Sequence, residues 1–599
     1  MNRFEVKLDA GNSTLVTAWA ILAPSLVLLV VGVGPGSGAD SSDEALSAAE
    51  SPRVMIDKRI GEVWREYDLK CSRAATDGEW CRRVFLDLIG RIPKVDELTG
   101  FLKDRPSTRR EELVQRLLYT QEYRDEYARH WTTIWTNWLI GRTGGTEDNS
   151  LTNREGMRMY LLECFVEDKP YDLMVRELIT AAGPNSPDRP NFNGATNFLA
   201  MKLSEKASQA TADTSKLFLG LQVQCTQCHD HPFNDWKQNQ FWELNAFFRQ
   251  TAALRRFGDD GEILFVELVD EDFPGEGSTP SEAEIYYERR NGDLEVAYPV
   301  FVNGAKLENL SGYASDVIRR EALANLIVDS EYFDKAIVNR MWSYFLGYGF
   351  TKPIDDMRPD NPPTHPLLLE SLGAAFRQRG FHLKQLYEWV VLSEPYGLSS
   401  RIGPGNEQDD PTLGEPPRFS RFYLRQMRAE QLYASLLAAT QADMNAADDE
   451  KQESDRRQWL SQFTRAFGTD DGGEATNFDG TIPQALMMMN GRVMKEAVRV
   501  TPRSLLGRMA TSDIKPRRKI EYLFLAGLSR KPTSQEVRMA NRLLESYVAD
   551  SINWTDTQRG GRTYKRQGSD GPEMPDPTTA ALQDIWWSIL NSNEFILVH

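Results

Sequence analysis

Cysteine and histidine are scarce in this 599-residue chain, at five and six residues. Five cysteines exclude a scaffold stapled by disulfides. Six histidines leave few candidates for metal or haem chemistry. A surplus of positive charge is also missing: 70 Lys and Arg stand against 87 Asp and Glu, a formal charge of −17. No Lys/Arg run is long enough to make a basic patch, so nucleic acid is not an expected partner. After residue 33 no apolar run is long enough to cross a membrane. A Gly-rich phosphate loop in context, a Gly-x-Ser-x-Gly elbow and a His-Glu-x-x-His pair are all absent. Core-forming residues are not lacking. The chain is 41% hydrophobic and 10% aromatic, which excludes global disorder.

The apolar run that does exist covers residues 15–33. Arg3 and Lys7 precede it and the small, flexible Gly34-Pro-Gly-Ser-Gly-Ala39 follows. Ser37-x-Ala39 reads as a signal-peptidase site. The run is long for a signal and short for a span, so residues 1–39 are a signal peptide or a single membrane anchor. Either reading puts the remainder outside the cytoplasm, in the periplasm, secreted, or tethered to the membrane.

Residues 40–53 are Ser/Ala/Asp/Glu-rich and read as a linker. A helical pattern then runs over 54–257. Thr108-Arg-Arg-Glu111 has the form of a capping box, with Leu113, Leu117 and Leu118 following at helical spacing. Trp131, Trp135 and Trp138 share one helix face. They read as a core stripe, with a cofactor-facing wall as the alternative. Residues 258–311 carry β-like text, including a hairpin centred on Asn291-Gly292. Helical text resumes over 312–599, broken by polar loops at 402–418, 441–480 and 553–577. Thr533-Ser-Gln-Glu536 is a second capping box. The fold class is therefore mainly α: two helical domains with a small β insert between them. A short phrase, a hydroxyl residue followed two or three positions later by an aromatic, recurs at Thr120, Ser330, Ser393 and Ser592. It reads as a helix-junction device.

The most informative segment is Cys225-Thr-Gln-Cys228-His229-Asp-His231-Pro-Phe. Cys-x-x-Cys-His is the attachment pattern of c-type haem: two thiols form thioethers and the adjacent histidine reaches the iron. Three rivals stay open, one of them that His231-Pro232-Phe233 simply starts a packed loop. The thiols can pair as a Cys-x-x-Cys disulfide, or the cysteines with His229 or His231 can hold zinc or another transition metal. A distal haem ligand would come from elsewhere, with His130, His365, His382 and the methionines as candidates. Cys71 and Cys81 flank Asp77-Gly78 and read as a small disulfide-closed loop. Cys164 reads as a buried free thiol.

A second polar constellation combines Asn339 and Arg340, on a helix, with a proline-stiffened loop carrying Asp355, Asp356, Arg358, Asp360, Asn361 and His365. It is a candidate cation, sugar or distal-ligand site. The alternative is an Arg–Asp network that pins a long loop.

Several motifs, in order, resemble a known family. The Cys-x-x-Cys-His-x-His-Pro-Phe segment ending in Phe241-Trp242…Ala246-Phe-Phe248, and Arg82-Arg83-Val-Phe-Leu-Asp87-Leu-Ile-Gly90-Arg-Ile-Pro93, are similar to the planctomycete cytochrome-c-like domain of unknown function. The second half resembles the planctomycete-specific domain that usually follows it. The matching pieces are Val338-Asn339-Arg340-Met-Trp342, Asn361-Pro-Pro-Thr-His365-Pro366, Arg428-Ala-Glu430-Gln431-Leu432, Gln484-Ala485-Leu486, Leu528-Ser-Arg530-Lys-Pro532-Thr533 and Trp587…His599. The chain departs from the family at 477–483, where Asn-Phe-Asp-Gly-Thr-Ile-Pro stands in place of a basic stretch. The resemblance implies a large, secreted, mainly helical protein.

Three functional expectations follow. The first is an exported cell-envelope protein carrying one covalent haem c on Cys225, Cys228 and His229, for electron transfer or redox sensing, with a redox partner or other secreted envelope proteins as partners. The second is a non-redox envelope protein that binds or scaffolds. The third is a metal-dependent hydrolase acting on polysaccharide, with His229 and His231, joined by Asp355 or His365, as metal ligands.

Overall fold

The computed structural model describes residues 51–599 apart from 148, 233–234, 278–279, 442–487, 490, 503 and 560–575. The N-terminal apolar run and the Gln484-Ala485-Leu486 motif lie outside the described residues. Helices dominate, as expected. They begin with α1 Pro52–Glu66, α2 Asp77–Ile89, α3 Val95–Lys103, α4 Arg109–Tyr119, α5 Arg124–Ile140, α6 Arg154–Val166 and α7 Tyr171–Thr180. The short strand β1 Gly183–Pro184 precedes α8 Ser204–Thr214 and α9 Gln238–Asn245. Then come strands β2 Thr251–Phe257, β3 Ile263–Asp270, β4 Ile285–Glu288 and β5 Leu294–Ala297.

The second half opens with α10 Arg319–Asp329, α11 Glu331–Leu346, α12 Pro366–Gln378 and α13 Leu383–Val391. Strand β6 Arg425–Gln426 and helix α14 Ala429–Thr440 follow. The described C-terminal part holds α15 Arg492–Ala497, α16 Leu505–Thr511, α17 Pro516–Leu528, α18 Ser534–Arg559, α19 Pro577–Leu590, α20 Asn593–Ile596 and β7 Leu597–Val598. Among the described residues no helix is long and apolar enough to cross a membrane.

The β segment starts earlier than the composition change suggests. β2 begins at Thr251 and pairs antiparallel with β3, while β1 adds to the other edge of β3, giving the order β1-β3-β2. β4 and β5 form the expected hairpin. Gly292 has φ +88° at its turn, and Gly292 N donates to Arg289 O at 2.8 Å.

Residues 51–599 form one compact unit, and α2 explains why. It starts at a capping box in which Thr76 and Glu79 satisfy each other's backbone amides. It ends at Gly90, whose φ is +82°. A Cβ there would stand 2.3 Å from His130 Nδ1, so both conformation and space require glycine. Between those ends α2 buries Arg82 and Arg83. Arg82 donates to Gly527 O and Phe595 O, both at 2.7 Å. Arg83 donates to Leu398 O at 3.0 Å, His599 O at 3.1 Å and the Tyr396 carbonyl. Two guanidinium groups of the first half thus satisfy backbone carbonyls of the second. Asp87, one turn on, accepts from Tyr396 Oη at 2.8 Å and Arg425 Nη2 at 2.6 Å.

Trp131 and Trp135 of the tryptophan stripe are core, and Trp138 is half-buried at its edge. Trp131 is fully buried and stacks on Tyr387 at 4.2 Å, and Trp135 packs on Tyr171 at 5.7 Å. The junction phrase works as read at Ser592 but not at Ser330, whose hydroxyl makes no capping bond and whose Tyr332 is only half-buried. Tyr123, Tyr396 and Phe595 are buried beneath their turns, and Ser592 Oγ accepts from Phe595 N at 3.2 Å.

Two local expectations need correction. Thr108 stands at the N-cap of α4, but its hydroxyl makes no capping bond, and Glu111 pairs with Arg53 instead. Cys71 and Cys81 are not bonded: all five cysteines are free, Cys71 is exposed, and Cys81 is buried in the core face of α2. The loop between them is held by backbone bonds, Ser72 N to Ser420 O at 2.8 Å and Ala75 N to Gly397 O at 2.9 Å.

The second capping box forms as expected. Thr533 N donates to Glu536 Oε2 at 2.6 Å, and Glu536 N to Thr533 Oγ1 at 3.3 Å. Arg530 clasps Glu536 at 2.8 Å and Glu594 Oε2 at 2.6 Å, tying α18 to α20. Arg530→Met is expected to lower stability by about 1 kcal/mol, a modest value because the pair is one-third exposed. A urea midpoint indistinguishable from that of the parent would contradict that role for the clasp.

Candidate functional site

The cysteine motif sits on an arm between α8 and α9. α8 passes into a π-helical turn, Ser215–Leu219, and the chain reverses at Gly220 with φ +64°. A Cβ at Gly220 would press to 2.8 Å of Met357 Sδ. The motif itself lies on a 3₁₀ turn, Gln224–Gln227, with Cys228 as its C-cap. At three residues per turn, positions i and i+3 eclipse. Cys225 and Cys228 therefore share one face, and both are exposed. Thr226 between them is fully buried, its hydroxyl donating to Val223 O at 2.6 Å.

Gln227 fixes the turn from below. Its carbonyl accepts from Trp242 Nε1 at 3.1 Å and Gln238 Nε2 at 3.2 Å, while its own Nε2 donates to Ser208 Oγ at 3.0 Å. Trp242 stacks on Tyr287 of β4 at 5.9 Å. The β insert thus buttresses the motif, a role that its sequence does not announce.

His229 Nδ1 lies 2.6 Å from Asp230 O. A carbonyl only accepts, so Nδ1 carries the hydrogen. In the neutral ring Nε2 then holds the free lone pair. Ligating histidines use this arrangement to fix tautomer and ring orientation. Asp230 accepts from Gln238 N, at the start of α9, at 3.0 Å. That bond, with help from Lys237, holds the Asp230 carboxyl below its usual range.

The second polar constellation meets this arm. Met357 N donates to Gly220 O at 2.8 Å. Gln222 Nε2 donates to Asp355 Oδ1 at 2.6 Å, and Lys216 Nζ lies 3.3 Å from Asp355 Oδ2. Burial and the nearby Arg358 push the His231 imidazole down, while Asp356 and Asp360 pull it up. Arg358 grips Asp356 through Nη2 at 2.5 Å and reaches Asp360 at 3.3 Å.

Not every predicted member joins. Asn339 is a loop pin: its amide donates to Thr351 Oγ1 and Ile354 O at 2.8 Å and accepts from Phe350 N at 2.6 Å. Asn361 ties back to Asp356 O at 2.7 Å. His365 turns into the core between the Phe350 and Phe419 rings, and burial pushes it down to about 4. His130 is half-buried with Nε2 2.9 Å from Tyr344 Oη, and His382 pairs with Asp168 at 3.3 Å. Among the described residues no group of three His, Cys, Asp or Glu converges to hold a metal ion. The reading in which His229 and His231 recruit Asp355 or His365 therefore finds no assembled donor set there. Lys216, Gln222 and Gln227 were legible only as neighbours of the motif.

Two family matches cover most of the chain. Residues 55–253 match PSCyt2, described as a protein of unknown function (DUF1549), and residues 319–544 match PSD1, a protein of unknown function (DUF1553). The β strands fall mostly in the interval between the two matches. No curated protein and no solved structure matches the chain. With both domains present in order, the chain belongs to the two-domain family that joins PSCyt2 to PSD1.

Proposed function

We propose that this is an exported protein that carries one covalent c-type haem on the arm between α8 and α9 and serves electron transfer or redox sensing. The carrying observation is the pairing of two exposed thiols on one face of a 3₁₀ turn with a histidine whose Nδ1–H is already committed to Asp230 O. Cys225 and Cys228 would hold the group as thioethers, and His229 Nε2 would ligate its iron. When bound, the haem supplies a reversible one-electron couple. This chain's residues fix the arm (Gln227, Trp242), orient the imidazole (Asp230 O) and brace the far side (Met357 on Gly220 O). The name PSCyt2 and the apolar N-terminal run are in keeping with this reading.

Expression with export into a host that has haem-attachment machinery tests it. The wild type is expected to give a pyridine haemochrome band, and Cys225→Ser/Cys228→Ser to lose it. His229→Ala is expected to keep covalent haem with a shifted Soret band. A colourless wild type with Cys225 and Cys228 disulfide-bonded would overturn the proposal.

A further inference from the structure

Trp138 is the half-buried, solvent-side end of the tryptophan stripe on α5. Its ring stands 6.3 Å from that of Tyr344 on α11. Tyr344 in turn lies 5.0 Å from the fully buried Trp131, which stacks on Tyr387 at 4.2 Å. Indole and phenol rings are among the side chains most readily oxidised by one electron, and here they follow one another from the surface into the core. A phenol keeps an electron hole only if its proton has somewhere to go, because an oxidised phenol is a strong acid. Tyr387 and Tyr171 fail that requirement: their buried hydroxyls have no hydrogen-bond partner among the described residues. Tyr344 meets it. Its Oη lies 2.9 Å from His130 Nε2, with the Asp87 carbonyl 3.4 Å away. Burial pushes the His130 imidazole down to about 3, so the ring is neutral and keeps a lone pair.

Cations set the direction. The Arg340 guanidinium stands 5.6 Å from the Trp138 ring and makes positive charge there costly, so a hole at Trp138 is driven inward. Arg428 and Arg425 lie 5.3 and 6.0 Å from the Tyr344 ring. They oppose a positively charged Tyr344 but not a neutral one, so its electron and proton leave together. We propose that Trp138, Tyr344 and His130 form a one-electron relay that takes up an oxidising equivalent at the surface and stores it in the core. The reacting partner is a one-electron oxidant, an oxidised metal complex, that meets the protein at Trp138. Trp138 gives it one electron. Tyr344 then gives one electron to Trp138 and its phenolic proton to His130 Nε2. The products are the reduced oxidant, neutral Trp138, a neutral Tyr344 phenoxyl radical and an imidazolium at His130. The relay uses neither thiol of the arm and does not depend on haem.

Photo-oxidation of the purified full chain tests this. The probe is ruthenium(III) tris(bipyridine), generated by a laser flash beside an irreversible electron acceptor. Exposed tyrosines such as Tyr67, Tyr119 and Tyr313 also react, so ascorbate is added to reduce accessible radicals. A tyrosyl signal that survives ascorbate is expected in the electron paramagnetic resonance spectrum. It should form more slowly in D2O, because a proton moves with the electron. Tyr344→Phe is expected to abolish it. His130→Gln keeps a hydrogen-bond partner for the phenol but supplies no base, and is expected to abolish it too. Trp138→Phe is expected to lose most of the yield. That conservative change at the edge of the core keeps the test decisive if the other two variants fail to fold. No ascorbate-resistant tyrosyl signal in the wild type, or an undiminished yield in Trp138→Phe, would overturn the proposal.

Discussion

Asp87→Ala is expected to destabilise the folded chain by about 3–5 kcal/mol, a large share of what a folded domain ordinarily has. The carboxylate is fully buried and accepts from Arg425 and Tyr396, with Arg83 close by. Burial lifts its carboxyl above the usual range, and Arg425 pulls it part-way back. Assembling this pair is therefore costly, and breaking it is costlier. Alanine would leave Arg425 buried without its counter-charge, while Arg83 keeps Glu79 at 3.7 Å. Asp87→Asn keeps the shape and part of the hydrogen bonding and should lose less. Asp87→Leu/Arg425→Met removes both charges and should lose less than the two single changes combined. Urea denaturation of Asp87→Ala, Asp87→Asn, the double variant and its two single changes measures this. A loss under about 1 kcal/mol for Asp87→Ala would remove the network from the account.

The second large effect is acid sensitivity. Burial holds His130 down to about 3 and His365 down to about 4, against about 6.5 in an unfolded chain. Below pH 6.5 the unfolded chain takes up protons that the folded chain refuses, so stability falls as pH falls. Above pH 7 the two histidines add no slope. Between about pH 6.5 and pH 4 each contributes about 1.4 kcal/mol per pH unit. The pair should therefore lower stability by about 4 kcal/mol on going from pH 7 to pH 5. His130→Gln, which can still meet Tyr344 Oη, should remove about half of that slope. Equal urea midpoints at pH 7 and pH 5 would show that these rings are not buried neutral.

Helical identity was legible because its signals are local. Thr533 and Glu536 cap α18, Asn291-Gly292 turns the hairpin, and Trp131 and Trp135 are core. The failures share a cause. The spacing of Cys71 and Cys81 allowed a bridge, but only tertiary packing decided that Cys81 faces the core of α2. Thr108 had the right partner three residues on, and Glu111 found Arg53 instead. The unity of residues 51–599 rests on Arg82 and Arg83 reaching carbonyls more than 300 positions away, which no local pattern encodes. The site was half legible. Both polar constellations stood out by composition, while their meeting through Gly220, Gln222 and Asp355 is a product of the fold. Asn339 and His365 looked like site residues because they sit in a dense polar string, yet one pins a loop and the other is buried between aromatic rings.

The central claim is that the two thiols on one face of the 3₁₀ turn are haem anchors. The intact mass of the exported wild-type chain, measured under denaturing conditions beside Cys225→Ser/Cys228→Ser, tests it most directly. A wild-type mass raised by one haem, with no such gain in the double variant, is the predicted result. A wild-type mass equal to that of the bare polypeptide, or lower by two hydrogens with Cys225 and Cys228 joined, would contradict it.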